Sequence, residues 1–275
     1  MGKVIILVDF SKEAKNTVDY GIQFALEYDK EIEFLNTTLY SEYSLASSSS
    51  TMQEMEYRHF EKAKESFNSL IFDLSQRYNE LPEIDIEIQY GIKTELIKKV
   101  FEEKNASLII TSGRLKNNSL LMMTDENKTL VENCNCPIMM IPPETNFKSY
   151  RKMVYATDYN DDKIYLERNI VSANSTLQNI SFGIHLANSR IAYHNNNERG
   201  FREIINQNLN YDHFQIDTNE NEDIAETILE YADIKGADII AVTKQNQEIL
   251  DSFGDPKKIG VLPEIILPLL IFQNN

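Results

Sequence analysis

Two aspartates close otherwise apolar runs: Asp9 after Val4-Ile5-Ile6-Leu7-Val8, and Asp158 after Met153-Val154-Tyr155-Ala156-Thr157. A carboxylate at such a strand end admits two readings. It can accept hydrogen bonds from a ligand's hydroxyls or ring edge, or it can cap the turn that follows. A second cluster is Ser112, Gly113, Arg114 and Lys116. Small residues next to cations can form a backbone nest for an anion, or an ordinary surface loop. The thiols Cys134 and Cys136 stand two apart with no further Cys or His at ligand spacing, so they read as reduced packing residues and imply no metal or disulfide framework. Likewise, His59, His185, His194 and His213 are scattered without metal spacing. The sequence shows no Ser/His/Asp triad and no carboxylate pair spaced for metal-assisted phosphoryl transfer.

The elements that position these residues come in two copies. Lys3–Phe10 recurs as Lys152–Tyr159, each an apolar run ending in Asp-aromatic, 149 residues apart. Ala106–Ile110 resembles Ala237–Ala241, and Cys136–Ile141 resembles Leu267–Phe272, both 131 apart. The shorter spacing means that the first copy carries extra residues, and the aperiodic Ser-rich stretch Ser41–Thr51 reads as that extra loop, with Ser47–Ser50 a loop or the lead-in to the next helix. A polar link with two prolines, Pro142–Phe147, marks the boundary, giving domains 1–146 and 147–275.

Within the first copy, strands are expected at Lys3–Asp9, Glu31–Leu39, Ile84–Ile88, Ala106–Thr111 and Pro137–Ile141. Helices are expected after Ser11 as N-cap, over Phe60–Tyr78 and around Leu96–Phe101. The second copy repeats this with strands at Ile180–Leu186, Phe214–Ile216 and Asp238–Val242 and a helix around Ala225–Ala232. Alternating strands and helices imply an α/β fold of two tandem doubly wound domains, each a five-stranded parallel sheet with helices on both faces. Continuously apolar first and fourth strands belong in the middle, and the strictly alternating third belongs at an edge. The resulting order is 3-2-1-4-5, with a ligand crevice where strands 1 and 4 diverge. The last strand of each copy is short and almost wholly apolar, and such an edge invites pairing. The two are expected to pair with each other in an internal pseudo-dimer.

Of the 275 residues, 42% are hydrophobic and 25% charged, with a net charge of −16. That field repels nucleic acid and anionic lipid, so neither is expected as a partner. No apolar run approaches the ~20 residues of a membrane helix, and Val4–Val8 reads as a strand and not a signal peptide, so a cytoplasmic location is expected.

The opening Ile6-Leu7-Val8-Asp9-Phe10-Ser11, its second version Ala156-Thr157-Asp158-Tyr159, Gly91 after the third strand, and Cys136–Ile141 resemble the universal stress protein family, in its tandem form. The resemblance implies a stress-response protein. Some members bind ATP or AMP through Gly-x-x-Gly after the fourth strand and a later Gly-Ser or Gly-Thr before the last helix, where backbone N–H groups and the helix start hold phosphates. The sequence departs from that pattern in both copies. The first reads Thr111-Ser-Gly-Arg-Leu-Lys-Asn-Asn118 and then Thr124-Asp125; the second reads Val242-Thr-Lys-Gln-Asn-Gln247 and then Gly254-Asp255. A carboxylate where a phosphate would sit costs on the order of 4 kcal/mol at an effective dielectric of ~20.

The candidate ligand residues are therefore Asp9, Ser112, Gly113 and Arg114 in the first copy and Asp158, Thr243 and Gly254 in the second. Related architectures that catalyse carry His-x-Gly-His or Ser-Gly-Gly-x-Asp-Ser after strand one, where this chain has Asp9-Phe-Ser-Lys12. The expectation is a non-catalytic regulatory protein with no cofactor, acting through protein contacts or an unidentified small ligand. The alternative is an ATP/AMP-binding sensor, with slow ATPase activity, that binds in the second domain. A homodimer and a protein partner are both compatible with this reading.

Overall fold

A computed structural model describes residues 3–39, 49–91, 106–116, 119–157, 168, 181–186, 216–218, 224–254 and 267–273. Asp158, Asp255 and the expected helix Leu96–Phe101 lie outside the described residues.

In chain order the first half contains β1 (Val4–Leu7), α1 (Lys12–Tyr28), β2 (Ile32–Leu39), α2 (Ser49–Arg77), β3 (Ile84–Gly91), β4 (Leu108–Ser112), β5 (Arg114–Lys116), β6 (Ser119–Leu121), α3 (Asp125–Asn133) and β7 (Ile138–Ile141). The second half contains β8 (Lys152–Thr157), β9 (Ser181–Leu186), β10 (Ile216–Thr218), α4 (Ile224–Lys235), β11 (Ile239–Thr243), α5 (Gln247–Ser252) and β12 (Leu269–Phe272).

Ten strands form one sheet in the order β10-β9-β8-β11-β12-β7-β4-β1-β2-β3. Each half thus reads 3-2-1-4-5, as the apolar patterns predict. Val4, Ile5 and Ile6 of β1 and Leu108, Ile109 and Ile110 of β4 are all buried, because both faces of a central parallel strand are covered. Alternating β3 lies at the edge, where Ile86 remains 43% exposed.

All neighbours in this sheet are parallel except β7 and β12, which pair antiparallel with Leu269 opposite Met140, Leu270 opposite Met139 and Ile271 opposite Ile138. The two apolar last strands cover each other, and the halves share one sheet. Both faces of that sheet carry a core that crosses the seam. On one face Phe24, Phe67 and Ile6 join a cluster with Met153, Tyr155 and Phe272. On the other, Ile5 and Val131 join one with Val154, Ile240 and Ile271.

Three local features go beyond the sequence reading. Of the two readings of the serine-rich stretch, the helix lead-in applies from Ser49, where α2 begins. Arg114–Leu121 is not a plain loop but a two-stranded antiparallel hairpin, β5-β6, set apart from the main sheet. The proline-bearing link and the residues just after it are packed down: Phe147 meets Tyr20 edge-on at 5.2 Å, Tyr150 shares a 2.6 Å hydroxyl contact with Tyr20, and the Tyr150 N–H donates to the Tyr28 hydroxyl at 3.0 Å. Ser11 caps α1 as expected, its side chain accepting from the Ala14 N–H.

Candidate functional site

The crevice of the first half opens at the carboxyl ends of β1 and β4, which the register Ile6 to Ile110 brings to the same level. Asp9 is exposed there, and its Oδ1 accepts from the Ser11 N–H at 3.0 Å and the Ser11 hydroxyl at 2.6 Å. One oxygen of the carboxylate therefore closes the turn into α1. Between them Phe10 adopts a left-handed backbone, φ 59°, and sets its ring edge-on against Phe67 of α2 at 4.9 Å. A non-glycine residue held there costs of order 1–3 kcal/mol unless its surroundings fix it. The capped turn and the aromatic contact do so.

Across the crevice the expected nest donors are engaged. The Gly113 N–H donates to the Ile141 carbonyl at 2.7 Å, continuing the β4-β7 ladder by one residue. Arg114 reaches Glu126 at 2.7 Å. Ser112 offers its carbonyl to the Asn127 amide at 3.2 Å, and the same amide nitrogen donates to the Met122 carbonyl at 2.6 Å. At the start of α3 the Thr124 hydroxyl accepts the Asn127 N–H at 3.2 Å, while Asp125 and Glu126 occupy the first turn. A helix start favours negative charge. Here the protein supplies that charge itself.

The second half shows the same backbone device. The Lys244 N–H donates to the Phe272 carbonyl at 2.9 Å, the counterpart of the Gly113 bond. Thr243 is fully buried at the end of β11, beside the equally buried Thr157 of β8. The Lys244 ammonium turns to the first half and donates to the Glu132 carbonyl at 2.8 Å. Gly254 also faces the first half: a Cβ there would stand 2.9 Å from the Met123 carbonyl oxygen and 3.2 Å from the Met123 Cβ. Its lack of a side chain serves a close approach between halves. The Met122 N–H donates to the Phe253 carbonyl at 3.2 Å, and Lys128 pairs with Asp251 at 2.9 Å.

Asn36, a polar residue that the sequence reading passed over, lies 4% exposed in β2 next to the first crevice. Its amide nitrogen donates to the Val8 carbonyl at 2.6 Å, and its Oδ1 has no hydrogen-bond partner among the described residues. The signal was available as an asparagine inside the strand Ile32–Leu39. The two thiols belong to the core: burial pushes Cys134 well up and Cys136 up to about 12, so both stay protonated and poorly nucleophilic at neutral pH. Among the described residues no three His, Cys, Asp or Glu side chains gather as a metal site, and no helix is long and apolar enough to cross a membrane.

Solved structures share this architecture over nearly the full chain. A universal stress protein from Archaeoglobus fulgidus DSM 4304 superposes with a TM-score of 0.67 at 13% identity, covering 99% of this chain and 96% of that one. A Pseudomonas aeruginosa UCBPP-PA14 protein assigned provisionally to the universal stress proteins gives 0.59 at 11% identity, over 99% and 93%. A Pseudomonas aeruginosa PAO1 protein of unknown function gives 0.56 at 13%, over 99% and 92%. No curated protein matches in sequence. The model of the universal stress protein family matches residues 1–142, and the chain belongs to that family.

Proposed function

We propose that this is a non-catalytic stress-response protein of two tandem universal stress protein domains, residues 1–146 and 147–275, working in the cytoplasm through protein contacts or a small ligand other than a nucleoside phosphate. The observation that carries this reading is the commitment of the phosphate-loop positions. Gly113 bonds to Ile141, Arg114 to Glu126, and Gly254 packs against Met123. Freeing the Arg114 guanidinium would leave Glu126 facing the incoming phosphate, and Asp125 adds a second like charge in the same helix turn. Two carboxylates in one helix turn thus oppose an incoming phosphate by like-charge repulsion.

The alternative, a nucleotide sensor in the second domain, rests on Asp158 and Thr243. It has less support, because Gly254 serves the contact between halves. Calorimetry with ATP and Mg²⁺ separates the two. Wild type is expected to release no binding heat at about 100 μM ligand. Micromolar binding abolished by Asp158→Ala would establish the second-domain sensor, and binding abolished by Asp9→Ala would overturn the reading of the first crevice.

A further inference from the structure

Where the amino end of β7 meets the carboxyl end of β12, four side chains with polar or soft atoms gather on one face of the sheet. Because β7 runs parallel to β4, this is the end of the strand far from the first crevice. Cys134 caps the carboxyl end of α3 and is buried, and Cys136 packs against the same cluster from a half-buried position. Ile271 of β12 lies opposite Ile138 of β7. Two residues further along this antiparallel pair, Gln273 comes opposite Cys136. Strand alternation puts both on the face of Ile138, Met140 and Ile271. Lys244 stands one residue past the pair Thr243–Phe272, alongside Gln273, and shares its face with Val242. The Lys244 ammonium donates to the Glu132 carbonyl in the last turn of α3 at 2.8 Å, and its charge acts on the Cys134 thiol, as does that of Cys136.

Gln273 is the member of this cluster that packing does not explain. Both polar atoms of its amide are buried, and neither has a hydrogen-bond partner among the described residues. A buried amide left in that state costs free energy. A thiol is a weak partner, whereas a thiolate is an anionic acceptor that the amide N–H groups and an ammonium can both serve. Burial keeps the two thiols protonated, so only a cation that displaces both protons brings the thiolates into being. Zn(II) takes four protein ligands in closed sites, and no third His, Cys, Asp or Glu joins the two sulfurs among the described residues. A soft monovalent ion, Cu(I), favours thiolates and is held by two of them. Loading breaks two S–H bonds, forms two S–Cu bonds and sends two protons to solvent. The product carries one negative charge, and the Lys244 ammonium offsets it.

We propose that Cys134 and Cys136 form a two-coordinate thiolate site for Cu(I), with Gln273 and Lys244 supporting the sulfurs from outside. Anaerobic competition of the full chain against bicinchoninate, a chromogenic Cu(I) chelator, tests the assignment. Wild type is expected to withdraw one equivalent of Cu(I), with two sulfur neighbours in the copper X-ray absorption spectrum, and to leave Zn(II) unbound. Cys136→Ser is expected to withdraw none. Its unfolding midpoint without copper is expected to match wild type, which separates a lost ligand from a lost fold. Gln273→Leu and Lys244→Met keep both sulfurs, and each is expected to weaken Cu(I) binding about tenfold. A wild type that leaves the copper with the chelator, or binding that survives Cys136→Ser, would overturn the site. A double variant Gln273→Leu/Lys244→Met that binds as tightly as wild type would overturn the role given to those two residues.

Discussion

The segments after β4 and β11 begin alike and then diverge. In both, the first N–H beyond the strand is used by the last strand of its own half, Gly113 to Ile141 and Lys244 to Phe272. Beyond that point the first half inserts the β5-β6 hairpin and a helix with two acidic residues in its first turn, whereas the second moves directly into the short helix α5. Past that shared bond the two segments take different courses. Their outer surfaces then meet, Met122 and Met123 against Phe253 and Gly254. These loops are a place where the two halves of the chain lock together.

That comparison assumes that the seam holds the halves in register, and breaking the seam should have the largest effect. Met139 is fully buried opposite Leu270. Met139→Lys leaves an unpaired charge in the shared core and is expected to cost about 3–5 kcal/mol in urea unfolding. The same change at the sheet edge, Ile86→Lys, is expected to stay within about 0.5 kcal/mol. Equal losses at the two positions would mean that the seam is no more than another edge.

Next in size is an alkaline transition centred on the Tyr20–Tyr150 contact. Burial raises the Tyr20 and Tyr150 phenols above their ordinary 10.0. A raised folded-state value means that the stability they hold is intact below pH 10 and is lost as the pH climbs above it. Tyr20→Phe/Tyr150→Phe should blunt that loss in denaturation curves recorded above pH 10; an unaltered curve would place the transition elsewhere.

Gly254→Ala probes the contact between the loops directly. The new methyl meets a backbone carbonyl, which yields less readily than a side-chain tip, and a loss of about 1–3 kcal/mol is expected. If Gly254 were free to serve a ligand instead, the alanine variant would unfold like wild type. The smallest effect is expected of Lys128→Ala. Its pair with Asp251 is about half exposed, and such pairs contribute roughly 0.2–1 kcal/mol.

Much of this architecture is legible in the residues. Continuous burial of Val4–Ile6 and Leu108–Ile110 follows from their unbroken apolar character, and the edge position of β3 follows from Ile-Asp-Ile-Glu-Ile. Ser11 announces the start of α1. The hairpin was harder to see, although Asn117-Asn118 between two short runs is an ordinary turn signal. Its strands are three residues each, too short for periodicity to stand out. The serines at the head of α2 read as either loop or helix lead-in, because their weak helix propensity competes with the strong stripe that follows. The purpose of Gly254 could not be read locally at all. The atom that would crowd a methyl there belongs to Met123, in the other half of the chain. Asn36 was missed because a lone amide in an apolar run gives no hint of whether its second polar atom finds a partner.

The antiparallel join between β7 and β12 has a consequence during synthesis. β7 leaves the ribosome with the first half, but β12, the strand that covers it, follows β8, β9, β10 and β11 in the chain. At 5–20 residues per second the wait is on the order of ten seconds. Through that interval the nascent chain carries Ile138, Met139, Met140 and Ile141 as an open apolar edge, ready to pair with the wrong strand of a neighbouring polysome product. Chaperone dependence, and sensitivity to truncation anywhere before Leu269, should therefore trace to this one strand more than to any other part of the molecule.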